Sequence, residues 1–193
     1  MFTNGQLKQL IQGEVIGEIF PYNTTDEQSI FSYLKRIKAE LEKSQKIVCE
    51  QEPLHFGSGY ASYMRWFVYE KSTVIQTELG NSVVQEEKEG LIVQISMLAP
   101  VVLIGTGNKS DNYLEGKWLS GGGTFLATPQ ELLIPPHLNE LYEGLQRLFM
   151  KYNYTILHKE DVEKPLPFKA NIATILREPR EYLIWDAIFY WED

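Results

Sequence analysis

The sequence is short of the groups that most enzymatic chemistry needs. It has one cysteine, Cys49, and three histidines, His55, His137 and His158, among 193 residues. A single thiol excludes an internal disulfide framework and suits a reducing compartment such as the cytoplasm. No histidine lies at metal-ligand spacing from another or from Cys49, so no metal and no cofactor is expected. Cations are the minority: 18 Lys and Arg stand against 26 Asp and Glu, for a net charge of −8. A nucleic-acid footprint needs clustered cations. The densest cluster here, Lys35, Arg36 and Lys38, falls among helix-face residues, so a nucleic-acid partner is not expected. No apolar run approaches the ~20 residues of a membrane span. The residues after Met1 also lack the basic-then-apolar order of a secretory signal. A cytoplasmic protein without membrane contact is the expectation.

The catalytic motifs that come nearest fail in detail. Gly105-Thr106-Gly107-Asn108-Lys109-Ser110 places Asn108 where a phosphate loop needs glycine, and Ser110 where a dinucleotide fingerprint needs its third glycine. Gly57-Ser58-Gly59 lacks the spacing of a nucleophile elbow. Cys49 sits in a strand pattern, with neither the access nor the cationic neighbours of a reactive thiolate. Glu50 and Glu52 would share one face of that strand. A carboxylate pair flanking a cleft can do acid–base work, but a solvated acidic face needs no such arrangement.

What is present is hydrophobic patterning. Hydrophobic residues make up 44% of the chain, enough for one core at this length. A helix is expected over residues 4–12, with Thr3 and Gln6 at capping-box spacing. A second is expected after Thr25, with Ile30, Leu34, Ile37 and Leu41 on one face. The period then changes to two. Strands are expected at 47–52, at 60–70 (aromatic on both faces), at 74–79, at 91–97 and at 101–104. His55 to Gly59 reads as a turn, and Glu86-Glu87-Lys88-Glu89-Gly90 as a polar turn. Residues 105–136, rich in glycine and proline, read as a long loop, mobile in part; Tyr113, Leu114, Trp118, Leu119, Phe125 and Leu126 are too apolar for a free linker, so parts of it are expected to pack down. A third helix follows over 136–152, then a strand at 154–157 and a helical turn at 159–163. The aromatic run from Tyr182 to Trp191 must be tied into a core or a partner. Asp186 inside it needs a donor if buried. The fold expected is a single α+β domain: an antiparallel sheet of about five to six strands with helices packed mainly on one face.

The tail Trp185-Asp186-Ala187-Ile188-Phe189-Tyr190-Trp191-Glu192-Asp193, preceded by Pro165-x-Pro167, resembles the C-terminal ends of small uncharacterised bacterial proteins. These include immunity proteins of polymorphic toxin systems. The resemblance implies a single-domain, cytosolic, acidic α+β protein that blocks a toxin domain by binding it. It assigns no site residues.

The function expected is non-catalytic protein binding, with a basic partner such as a toxin domain. Glu86, Glu87 and Glu89 would steer the partner, and Tyr113 and Trp118 would anchor it. The alternative for Trp118 is core packing. The alternative function is a small-molecule-binding domain, or an enzyme without a recognisable motif, using a pocket on the sheet. Oligomeric state stays open.

Overall fold

The computed structural model describes residues 2–52, 59–179 and 181–192. Local signals set the first elements. Helix α1 (Asn4–Ile11) starts on a reciprocal cap: the Gln6 amide donates to Thr3 Oγ1 at 3.2 Å, and the Thr3 amide donates to the Gln6 side chain at 2.9 Å. Helix α2 (Glu27–Leu41) is capped by Asp26, whose carboxylate accepts from the amides of Gln28 and Ser29. The expected cap, Thr25, lies one residue outside, at a φ of 53°. A carboxylate on two orphan amides at the positive end of the dipole makes the stronger cap.

Strands β1 (Ile47–Gln51), β2 (Tyr60–Ala61), β3 (Tyr63–Glu70), β4 (Ile75–Gly80), β5 (Val83–Ser96), β6 (Val101–Leu114) and β7 (Lys117–Gly123) follow. After them come α3 (Asn139–Lys151), β8 (Thr155–Leu157), α4 (Lys159–Val162), α5 (Ile184–Ile188) and β9 (Trp191–Glu192). The main sheet runs β1-β3-β5-β6-β7, with β4 also paired to β5 and β8 to β6. It is antiparallel except for β8, which lies parallel to β6. β2 and β9 form a separate antiparallel pair. The α+β class is as expected, with seven strands in the main sheet where five to six were anticipated.

Strand alternation separates two cores. Tyr63, Phe67 and Tyr69 of β3 face one side with Ile92, Val101 and Leu103. Met64, Trp66 and Val68 face the other with Leu91, Val93, Ile95, Val102 and Ile104. The second side, here the helix face, is covered by the two longest helices through Ile30, Leu34 and Ile37 of α2 and Leu141, Leu145 and Phe149 of α3. The first side, the tail face, is covered by α1, α4 and α5, with Trp185, Ile188 and Phe189 fully buried. Each such side chain stabilises the fold by about 1.5–3 kcal/mol. The C-terminal aromatic run is therefore core. Asp186 is buried within it and accepts from Arg177 at 2.9 Å and from the Leu183 amide at 2.7 Å.

Two expectations are corrected. Residues 105–136 are not a loop: most of them form the long second half of β6, all of β7 and a short 3-10 turn at Pro129–Leu132. Their glycines serve packing and turning. Gly116, at a φ of 78°, turns the β6–β7 hairpin. A Cβ on Gly107 would stand 2.6 Å from the Ile92 side chain. The segment Glu86 to Gly90 is not a turn either; it lies inside β5. The turn expected at His55 to Gly59 lies outside the described residues except for Gly59.

Candidate functional arm

The strands β5 and β6 are 14 residues each, and only their halves nearest the β5–β6 turn belong to the cores. Residues 75–90 and 105–123 contribute no side chain to either hydrophobic cluster. Beyond the core, β5 and β6 are flanked by β4 and β7, giving a four-stranded arm. Seven residues at about 3.3 Å each carry it roughly 20 Å past the body. Every residue of β4 and of β7 is exposed.

Charge holds the arm at its root. Lys88 is 5% exposed and its ammonium lies on the tail face. It donates to Asp111 at 2.8 Å and stands 3.5 Å from both Glu50 and Glu86. Lys109 pairs with the other oxygen of Glu50 and lies 3.8 Å from Asp111. Tyr69 donates to Glu50 at 3.0 Å, and the Trp118 indole donates to Asp111 at 3.0 Å. Burial alone would raise the Glu50 and Asp111 carboxyls. Hydrogen bonds and charge from Lys109 and Lys88 outweigh it, and both sit below the usual carboxylate range. Burial would likewise depress Lys88, but its carboxylate partners win and hold the ammonium above its ordinary value.

Glycines make this packing possible. Gly90 and Gly107 are paired across β5 and β6, and a Cβ on Gly90 would collide with the Val68 carbonyl and Tyr69. A Cβ on Gly121 would collide with the Asp111 carboxylate. Beside the cluster a cleft of about 330 Å³ opens between Arg65, Trp118 and Phe125. Arg65 donates to Glu52 through Nε at 2.6 Å, and its guanidinium lies 3.9 Å over the Phe125 ring. Glu50 and Glu52 do share a face, but both are drawn into ion pairs and neither is a freely solvated carboxylate. The cleft's charged groups pair with one another.

The five residues singled out from sequence all lie on the arm, split between its faces. Glu86, Tyr113 and Trp118 lie on the tail face. Tyr113 and Trp118 are cross-strand neighbours, and Glu86 opposes Asp111. Glu87 and Glu89 lie on the helix face, because successive strand residues alternate. Trp118 is 63% exposed, so it is not a core residue. Ile75, Leu79, Leu114 and Leu119 are also exposed. Glu89 meets His137 at 3.0 Å, while Glu87 has no ion-pair partner among the described residues. The Lys88 cluster was missed from sequence. Its signal was opposite charges two residues apart, Glu86 with Lys88 and Lys109 with Asp111, which a strand places on one face.

Cys49 is buried, and burial pushes its thiol up to about 12. Among the described residues no group of three or more His, Cys, Asp or Glu is arranged to hold a metal ion, and no helix is long and apolar enough to cross a membrane. Comparison with protein-family models, with curated proteins and with solved structures finds no match to this chain.

Proposed function

We propose that this protein is a non-catalytic protein-binding domain whose arm engages a basic partner. The observation that supports it is the arm itself: a four-stranded extension with no part in either core that exposes Ile75, Leu79, Leu114, Trp118 and Leu119. A partner seated on the arm would cover large apolar side chains that the chain itself leaves open to solvent. The flanking charge fits a cationic surface. Glu78, Glu87 and Glu115 are exposed on the arm beside Lys117, while Lys88 and Lys109 are occupied at its root. Aromatic and aliphatic anchors framed by carboxylates combine a desolvated contact with electrostatic steering. A bacterial toxin domain is the partner suggested by the tail resemblance. Within that tail, residues 185–190 are buried in the core, which leaves the arm as the surface for the partner.

The test pairs capture with mapping. A basic protein captured from the native host is purified, and the complex is followed by amide hydrogen exchange. Slowed exchange confined to residues 75–89 and 108–123, and loss of capture in the Ile75→Ser/Leu119→Ser variant, are the expected results. Slowed exchange on α2 and α3 instead, or capture unaffected by that variant, would overturn the reading.

A further inference from the structure

A groove of about 630 Å³ crosses the helix face of the arm. Register aligns one row of its floor: Ile75 opposite Glu87, Glu87 opposite Ser110, and Ser110 opposite Gly122. Asn108 and Glu89 form the next row. The lysines adjacent in sequence, Lys88 and Lys109, send their ammoniums to the opposite face. Side-chain charge in the groove is therefore that of Glu87 and Glu89, with His137 at the rim beside Glu89.

Gly122 is the informative residue. A Cβ built there would meet nothing within 4 Å, and its φ is not in the left-handed region. Gly121 and Gly116, in contrast, are explained by Asp111 and by a positive φ. Glycine inside a strand weakens it through backbone entropy and lost side-chain packing. Nothing within the chain requires it at 122. Glycine inside a strand marks a bulge, a tight bend or a close approach of another backbone; the register shift between β6 and β7 lies at Asn112/Tyr113, away from the Ser110–Gly122 pair, which favours the close approach.

We infer that this groove receives one extended segment of the partner, its backbone crossing Gly122 and a guanidinium or ammonium group set between Glu87 and Glu89. The inference rests on the partner-binding reading and names the element of the partner that is read. The floor matches the segment in kind: an open glycine for the backbone, Ser110 and Asn108 for its amide groups, and carboxylates for its charge.

The probe is a capped hexapeptide of alternating glycine and arginine, titrated into the isotopically labelled full chain and followed by amide NMR shifts. A glycine–glutamine hexapeptide is the control. Saturating shifts at Glu87, Ser110, Gly122 and Thr124 are expected from the arginine peptide only. Gly122→Val and Glu87→Gln should each weaken binding at least tenfold with unchanged circular dichroism. Gly122→Ala serves in place of Gly122→Val if the larger side chain perturbs the strand. No saturable shifts, equal shifts from the control, shifts centred elsewhere, or affinity unchanged in the Gly122 variants would overturn the inference. The partner-binding reading would then still stand or fall on capture by the Ile75/Leu119 variant and on the exchange map.

Discussion

Lys88 and Lys109 lie directly opposite each other on β5 and β6, with the carboxylate of Glu50 reaching both. Like charges in that position repel and destabilise a strand pair. Here the repulsion is reversed by a carboxylate delivered from β1 and by Asp111 from β6. The arm is therefore fastened to the body by charge where the hydrophobic cores stop.

Removing one member of that cluster should cost more than removing two. Lys88→Met leaves Glu50, Glu86 and Asp111 crowded without their shared cation, and is expected to destabilise the protein by about 3–5 kcal/mol. Lys88→Met with Asp111→Leu should recover most of that loss, because both desolvated charges are gone. Urea denaturation of the two variants, with the single Asp111→Leu variant closing the cycle, measures the difference.

Acid should loosen the arm. Glu50 and Asp111 are held below the usual carboxylate range in the folded state. Their contribution is complete above the unfolded values near pH ~4 and is lost as pH falls through the lower folded values. Lys88 is held above its ordinary value, so its contribution is complete below its unfolded value and is lost as pH rises through the folded one. The cluster's contribution is expected to be flat across neutral pH and to fall below pH ~4, while Asp186, whose carboxyl burial holds above its ordinary value, contributes the opposite slope above its unfolded value. Urea midpoints measured against pH check this, and Glu50→Gln should flatten the acid limb.

Arm-surface substitutions should leave stability alone. Ile75→Ser and Leu119→Ser remove exposed side chains that belong to no core, so each should change unfolding free energy by no more than ~0.5 kcal/mol. A larger loss would mean that these residues support the fold and are not free to meet a partner.

Cys49 should be silent in the native state. Its thiol is buried and pushed up to about 12, so a chromogenic disulfide reagent at pH 8 should react only as fast as the protein opens. Full reactivity should return in denaturing urea.

Much of the fold was legible because its signals are local and periodic. The Thr3–Gln6 cap, the stripe Ile30, Leu34, Ile37 and Leu41, and the two aromatic faces of β3 each follow from a spacing within one element. The arm was not. Its strands carry charge and glycine where strands usually carry β-branched residues, so Glu86 to Gly90 and Gly105 to Gly123 resemble turns. They are strands because partners far along the chain compensate them: Glu50 lies 38 residues before Lys88, and Ile92 occupies the space left by Gly107. Of the site residues, Trp118 was recognisable as an aromatic in a polar stretch. The split of Glu86 from Glu87 and Glu89 needed the strand assignment first.

The segment at 184–190 is synthesised after every strand of the main sheet, yet it supplies Trp185, Ile188 and Phe189 to the side of the sheet that also carries Tyr63 and Phe67. Until it leaves the ribosome, that side of the nascent sheet has only α1 and α4 to cover it. Such an intermediate is prone to aggregate and is a natural client for a chaperone. Biogenesis of this protein therefore hinges on a handful of residues: a polypeptide that stopped before residue 184 would lack Trp185, Ile188 and Phe189 from this layer and be fit only for degradation.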